Sequence, residues 1–387
     1  VGGCCLDGAT EGTLSDRTHY DGCCMMVIRL LHLGLGGAAV VLAGLGAGCG
    51  EQASTDASGR LVDAVVIGET GTHPGQFMYP RAMDVYVDEQ GRTIAVIIDK
   101  TARMQAIDLA DGSMVGSVLM PRFSNGMPTG VTVGASLFDA GEMAVYVPDT
   151  HEHRVLVYSL PLIEGVDEPV FSYGVFGKEH GEFVYPTDVL VMTDSAGGVH
   201  ELLISEYGGN DRITRHVVVR DGDEVSLQWA GQIGIPSETV DGSDGEVALS
   251  RPQSIGIWNN AGATELIVLD SSHHRVGRLT MDGELIAWYS KDHDADFAAM
   301  KFPYGVTVLD DGSALISEFG GNVVRRMDLA SGMTMEMIGV GGRGDGELAT
   351  PWASSVIDGR LVILDSGNNR IQIVGFDESV RMAGWSE

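Results

Sequence analysis

Six times along this 387-residue chain a proline opens a short apolar run, and some fourteen to twenty-one residues later an acidic residue is followed by an arginine. The prolines are Pro80, Pro128, Pro186, Pro252, Pro303 and Pro351, and their acidic partners are Asp99, Asp149, Glu206, Asp270, Glu318 and Asp365. Successive acids lie 50, 57, 64, 48 and 47 residues apart. A period in that range, with strand-like segments inside each unit, marks a propeller or another array of supersecondary units. No other feature of the chain restricts its folding so tightly.

The sixth unit shows the physics most clearly. Pro351 precedes the run Trp352 to Val356, the turn Asp358-Gly359 leads into Leu361 to Leu364, and Asp365 to Asn369 is followed by the alternating segment Arg370 to Val374. Short β-rich runs bounded by Gly, Asn and Asp read as consecutive antiparallel strands, and Asn and Gly suit turn positions of positive φ. The proline lacks an N–H and belongs where a strand enters a sheet. An outer strand, such as Thr334 to Ile338, precedes the next proline. A sheet of four such strands cannot bury both faces alone, so neighbouring units must stack.

These motifs resemble the NHL repeat, which runs Gly-x-Phe-x-x-Pro, an apolar strand, an acidic residue, a polar turn and Asn-x-Arg-Ile-Gln. Gly75 to Pro80 and Gly181 to Pro186 match its opening, and Asp149 to Val155 and Asp365 to Gln372 match its close. The resemblance covers roughly residue 61 to the end and implies an all-β fold, a six-bladed β-propeller of four-stranded antiparallel blades. Glu206 and Glu318 stand where the pattern has aspartate, the first unit is one residue short between Asp99 and Arg103, and Arg325 is displaced by one. Those turns are expected to differ in geometry. Either Leu61 to Ile67 or Val380 to Trp385 could close the ring, and the N-terminal strand is preferred.

The formal net charge is −30. Such a surface repels phosphate backbones, so no nucleic-acid partner is expected. All five cysteines precede residue 50, leaving the repeats without a disulfide framework or cysteine metal site, and the pairs Cys4-Cys5 and Cys23-Cys24 lack zinc-knuckle spacing. From Met25, a positive Arg29, an apolar Gly-rich core over Leu30 to Leu45 and the small residues before Cys49 read as a lipoprotein-like signal peptide. The stretch is short for a membrane-spanning helix. The expected organisation is an over-extended reading frame at 1–24, a signal at 25–48, lipidation at Cys49, a flexible tether at 49–60 and the propeller at 61–387. A lipid anchor would tie the exported protein, expected to be a monomer, to the bacterial cell envelope on its periplasmic or surface side.

The six turn acids read as architecture, because a role repeated six times is structural and a turn carboxylate can accept N–H bonds and an arginine. His151, His153, His273 and His274 read as polar turn residues. In amidating lyases that resemble this family, zinc-binding histidines directly follow the repeat proline, whereas here Arg81, Thr129, Thr187, Gln253, Tyr304 and Trp352 do. One step on, Asp188 is the only carboxylate, thin support for the calcium site of a lactonase-like propeller. No metal or other cofactor is therefore expected. Arg81, Asp188, Tyr304 and Trp352 are expected to form an axial rim suited to an unidentified small ligand or a protein partner. The favoured function is a non-catalytic binding or scaffold module. The alternative is an extracytoplasmic lyase or lactonase-like enzyme with a divalent metal at the channel.

Three further matches fail. The glycines of Gly339 to Gly344 precede a strand where a dinucleotide site needs a helix. Arg343-Gly344-Asp345 is a linker, and Asp292 to Asp296 lacks the glycine and terminal glutamate of an EF-hand.

Overall fold

A computed structural model describes residues 55–121, 128–236, 247–290, 294 and 297–376. Six four-stranded antiparallel sheets follow one another in chain order, as blades of a β-propeller. The first blade comprises Pro80–Val87, Thr93–Asp99, Arg103–Asp108 and Met114–Leu119. The innermost strands of the next four begin at Thr132, Tyr185, Pro252 and Pro303.

The sixth blade takes Ala353–Ile357, Arg360–Asp365 and Arg370–Gly375 from the end of the chain. Its fourth strand is Val65–Ile67, paired antiparallel with Arg370–Gly375 through Val65↔Ile373 and Ile67↔Ile371. The N-terminal strand therefore closes the ring, joining chain ends about 300 residues apart as an array without free edges requires. The competing segment at 380–385 lies outside the described residues, as do the expected leader, signal and Cys49. Residues 55–60, expected within the tether, form a turn in which Asp56 accepts the Ser58 and Arg60 N–H groups. Arg60 then pairs with Glu347 and the Leu61 N–H donates to the Gly346 carbonyl, so this stretch is held against the sixth blade.

Why the repeat needs the array is visible in its core. Residues 93–99 are buried throughout, because their sheet has a neighbour on each face. Hydrophobic clusters occupy the junctions between blades. One joins Ile98 and Met104 to Val145 and Leu156, and another joins Ile97 to Val362 and Leu364 across the closure. Each blade thus buries its apolar faces on its neighbours. Among the described residues no helix is long and apolar enough to cross a membrane.

At the axis the inner strands approach closely. A Cβ at Gly130 would lie 2.1 Å from the Thr187 carbonyl oxygen of the next blade, which restricts that position to glycine.

Candidate functional site

Each turn acid closes its own blade. All six carboxylates pair with the arginine of their hairpin: Asp99 with Arg103 at 2.9 Å, Asp149 with Arg154 at 3.1 Å, Glu206 with Arg212 at 2.7 Å, Asp270 with Arg275 at 2.8 Å, Glu318 with Arg325 at 2.6 Å and Asp365 with Arg370 at 2.8 Å. Five also accept the N–H two residues before the repeat proline, from Met78, Val184, Ser250, Lys301 and Ala349. The arginines reach back to the linker carbonyls, as Arg370 does to Gly344 and Glu347. Burial raises the Asp149 carboxyl to about 6 and Glu206 to about 7, against the pull of their arginines. These corners are ion pairs that staple strand to turn, although the Asp149 Oδ1 and the Arg103 Nε have no hydrogen-bond partner among the described residues.

A second repeated bond links successive blades. The residue of positive φ in a turn offers its side chain to the residue just before the next proline. Asn369 accepts the Tyr79 N–H at 2.6 Å, Asn322 that of Thr350 at 2.8 Å, His274 that of Phe302 at 3.0 Å, and Asp211, next to the Asn210 turn, that of Arg251 at 2.6 Å. Tyr79, Arg251, Phe302 and Thr350 themselves have φ between 43° and 56°. A residue in that region preceding proline is strained, and the latch holds it there. The short first turn has Ala102 at its positive-φ position and so no side-chain acceptor to offer. His153 makes its contact with the Val184 carbonyl instead. His153 and His274 are thus blade-to-blade contacts, whereas His273 pairs with Asp270 of its own turn.

Directly after the proline the register slips. Bulges fall between Pro80 and Ala82, Pro186 and Asp188, Pro252 and Ser254, and Pro303 and Gly305. The skipped residues are Arg81, Thr187, Gln253 and Tyr304. A bulge re-aims a side chain, and in the third, fourth and fifth blades the residue it re-aims faces the axis. Thr129, Thr187, Gln253, Tyr304 and Trp352 line one central cavity of about 170 Å³ built by all six blades.

Tyr304 and Trp352 also belong to an aromatic cluster at one end of that cavity. Their ring centroids are 4.9 Å apart, Phe319 stacks on Tyr304 at 4.5 Å, and Tyr79 meets Trp352 edge-on at 6.3 Å. The Trp352 indole N–H donates to the Thr129 carbonyl, so one side chain bridges the sixth and second blades past the first. Two cations stand among the rings. Arg251 lies 4.8 Å from the Tyr207 centroid and 5.1 Å from that of Tyr304, and Arg81 lies 5.9 Å from that of Tyr79. The Arg81 Nε is buried without a hydrogen-bond acceptor, and no carboxylate among the described residues pairs with its guanidinium. Burial pulls its pKa below the ordinary arginine value. On the neighbouring blade, burial and the nearby Arg81 charge lower that of His151.

The four residues expected at the rim are therefore divided. Arg81, Tyr304 and Trp352 gather at the mouth. Asp188 lies in the channel, where one oxygen accepts the Ser254 hydroxyl and the Ile255 N–H and the other accepts the Val189 N–H. It has a companion that sequence reasoning missed. Asp84 lines the same cavity and accepts N–H bonds from Val85 and Val133. Burial raises both carboxyls to about 6. Among the described residues no three His, Cys, Asp or Glu side chains converge as a metal site. Tyr79, Tyr207, Arg251 and Phe319 were also missed. They flank the repeated proline and acid, and reading one residue to either side of those positions would have found them.

No family model matches the chain, and no curated protein matches it. Among solved structures it is similar to virginiamycin B lyase from Staphylococcus aureus, at 13% identity over 81% of this chain and 95% of that one, with a TM-score of 0.43. A catalytically inactive form of that enzyme with quinupristin gives 14% identity over 78% and 85%, TM-score 0.42. A streptogramin B lyase gives 13% over 82% and 88%, TM-score 0.45. These likenesses assign no residue of this chain a role.

Proposed function

We propose that the chain is an NHL-type propeller serving as a non-catalytic binding module, with the aromatic, cationic mouth of its axis as the docking site. The observation that carries this reading is Arg81, a guanidinium half-buried among rings with its Nε unpartnered. A desolvated cation without a counter-ion is costly unless something completes its bonding. In the same reading Cys49 is lipidated and the exported protein is displayed, as a monomer, on the bacterial cell envelope. The lipoprotein-like segment ending at Cys49 supports that placement, and the excess negative charge argues against nucleic acid.

Metal analysis of the purified protein, with turnover of lactone and amidoglycolate substrates assayed with and without chelator, tests the non-catalytic half. Substoichiometric zinc and calcium and no chelator-sensitive turnover are expected. Stoichiometric metal with chelator-sensitive turnover would transfer the function to the lyase or lactonase-like alternative. For the location, Cys49→Ser should release the protein from membranes or leave its precursor uncleaved.

A further inference from the structure

We infer that the mouth selects a carboxylate attached to a flat aromatic group, the carboxylate being held by Arg81 and the ring lying against the half-buried Tyr79 and Phe319. This rests on the binding-module reading above and adds the ligand's chemistry. The chain has 54 acidic residues against 24 lysines and arginines, so carboxylates are abundant wherever an arginine needs one for structure. All six corner arginines have one. At the mouth the pattern reverses, and Arg81 has none among the described residues. Arg251 donates from Nε to the Gln253 side chain at 3.1 Å, and the Asp211 carboxylate beside it is taken up by the N–H groups of Arg251 and Gly209.

The rings explain how the site tolerates two unpaired cations. Guanidinium groups over aromatic faces are attracted by the ring quadrupole, and both Arg81 and Arg251 lie over tyrosines. Those faces are therefore already engaged by positive charge, so the mouth is closed to cationic ligands that an aromatic cage would otherwise attract. A planar carboxylate matches the guanidinium fork and completes it with charge-assisted bonds. Tyr304 and Trp352 are buried, so the half-buried rings packed on them, Tyr79 and Phe319, offer apolar surface to a second planar group.

Calorimetric titration of the purified protein with indole-3-acetate and benzoate, each beside its neutral amide, and with tryptamine, tests this. The acids are expected to bind at least about tenfold more tightly than their amides, with no binding of tryptamine. Arg81→Gln should abolish the preference, and Arg81→Lys should keep part of it. Thermal unfolding of each variant separates a lost site from a lost fold. Acids and amides binding equally, with both lost in Phe319→Ala, would overturn the anion inference and leave the binding module standing. Binding unaffected by substitution at Arg81, Tyr79 or Phe319, or none at all, would overturn both.

Discussion

The blade corners and the axial mouth are separated by one or two residues of sequence, yet they use charge in opposite ways. At the corners each buried acid is matched by an arginine and in five blades by a backbone N–H as well. At the mouth Arg81 sits one residue after Pro80 without an acceptor for its Nε among the described residues. Corner residues repeat six times with only Asp/Glu exchange, whereas the residues after the prolines are Arg81, Thr129, Thr187, Gln253, Tyr304 and Trp352. Repetition accompanies paired charge, and singularity accompanies a cation with no carboxylate among the described residues. The difference separates what holds the ring from what the ring presents.

Substitution at a corner should produce the largest effect. Asp365 accepts bonds from Ala349 N–H, Asn368, Arg370 and Gln372. Asp365→Ala removes all four and strands a buried guanidinium, so urea unfolding should show a loss of about 2–4 kcal/mol. Unchanged stability would erase the distinction between corner and mouth.

The channel lies between those extremes, with bonded carboxylates in a water-accessible cavity. Asp188 has a folded pKa of about 6 against 3.8 for the free side chain, with burial the main cause. The folded state thus binds the proton first. Its ionisation opposes folding fully above about pH 6, and that opposition disappears as pH falls toward 3.8. Relative to Asp188→Asn, the wild type should gain about 1–2 kcal/mol between pH 7 and pH 5, the figure being reduced for screening by channel water. Parallel stability profiles of the two proteins would contradict this.

The latch between the fourth and fifth blades titrates with the opposite sign. His274 accepts the Phe302 N–H at Nδ1, and burial and then His273 lower its pKa. With the folded pKa below the unfolded one, the latch contributes above the unfolded value and is lost as pH falls through the folded value. His274→Asn installs the amide used by Asn322 and Asn369. Its acid-side loss between pH 7 and pH 5 should be smaller than that of wild type by up to about 1 kcal/mol. Identical pH slopes would show that protonation leaves the latch intact.

How much of this was legible follows from the same contrast. The six Pro–acid–Arg units placed the strands, and every turn acid lies at or beside the end of its blade's second strand, because that signal is local and repeated. Val65–Ile67 as the closing strand was legible as a preference, since a strand without a unit of its own needs a partner. The division of Asp188 from the mouth was not, because the bulges after the prolines redirect alternate side chains and leave no mark in composition. Asp84 was hidden for a related reason. It stands four residues after Pro80 and reaches the cavity through the close approach of inner strands. The Trp352 bond to Thr129 joins positions 223 residues apart, beyond any local pattern.

The smallest expected stability effect is at Arg81, and it is the sharpest check on the comparison. Arg81→Gln removes a buried charge that no carboxylate among the described residues offsets, and keeps a side chain of similar reach. The cation–π contact with Tyr79 is lost, while the desolvation cost of the guanidinium is relieved. These changes oppose one another, so urea unfolding at pH 7 should place the variant within about 0.5 kcal/mol of wild type. A loss approaching that of Asp365→Ala would mean that Arg81 holds the ring together as the corner arginines do. A near-neutral result combined with lost carboxylate binding would locate its role in what the mouth recognises.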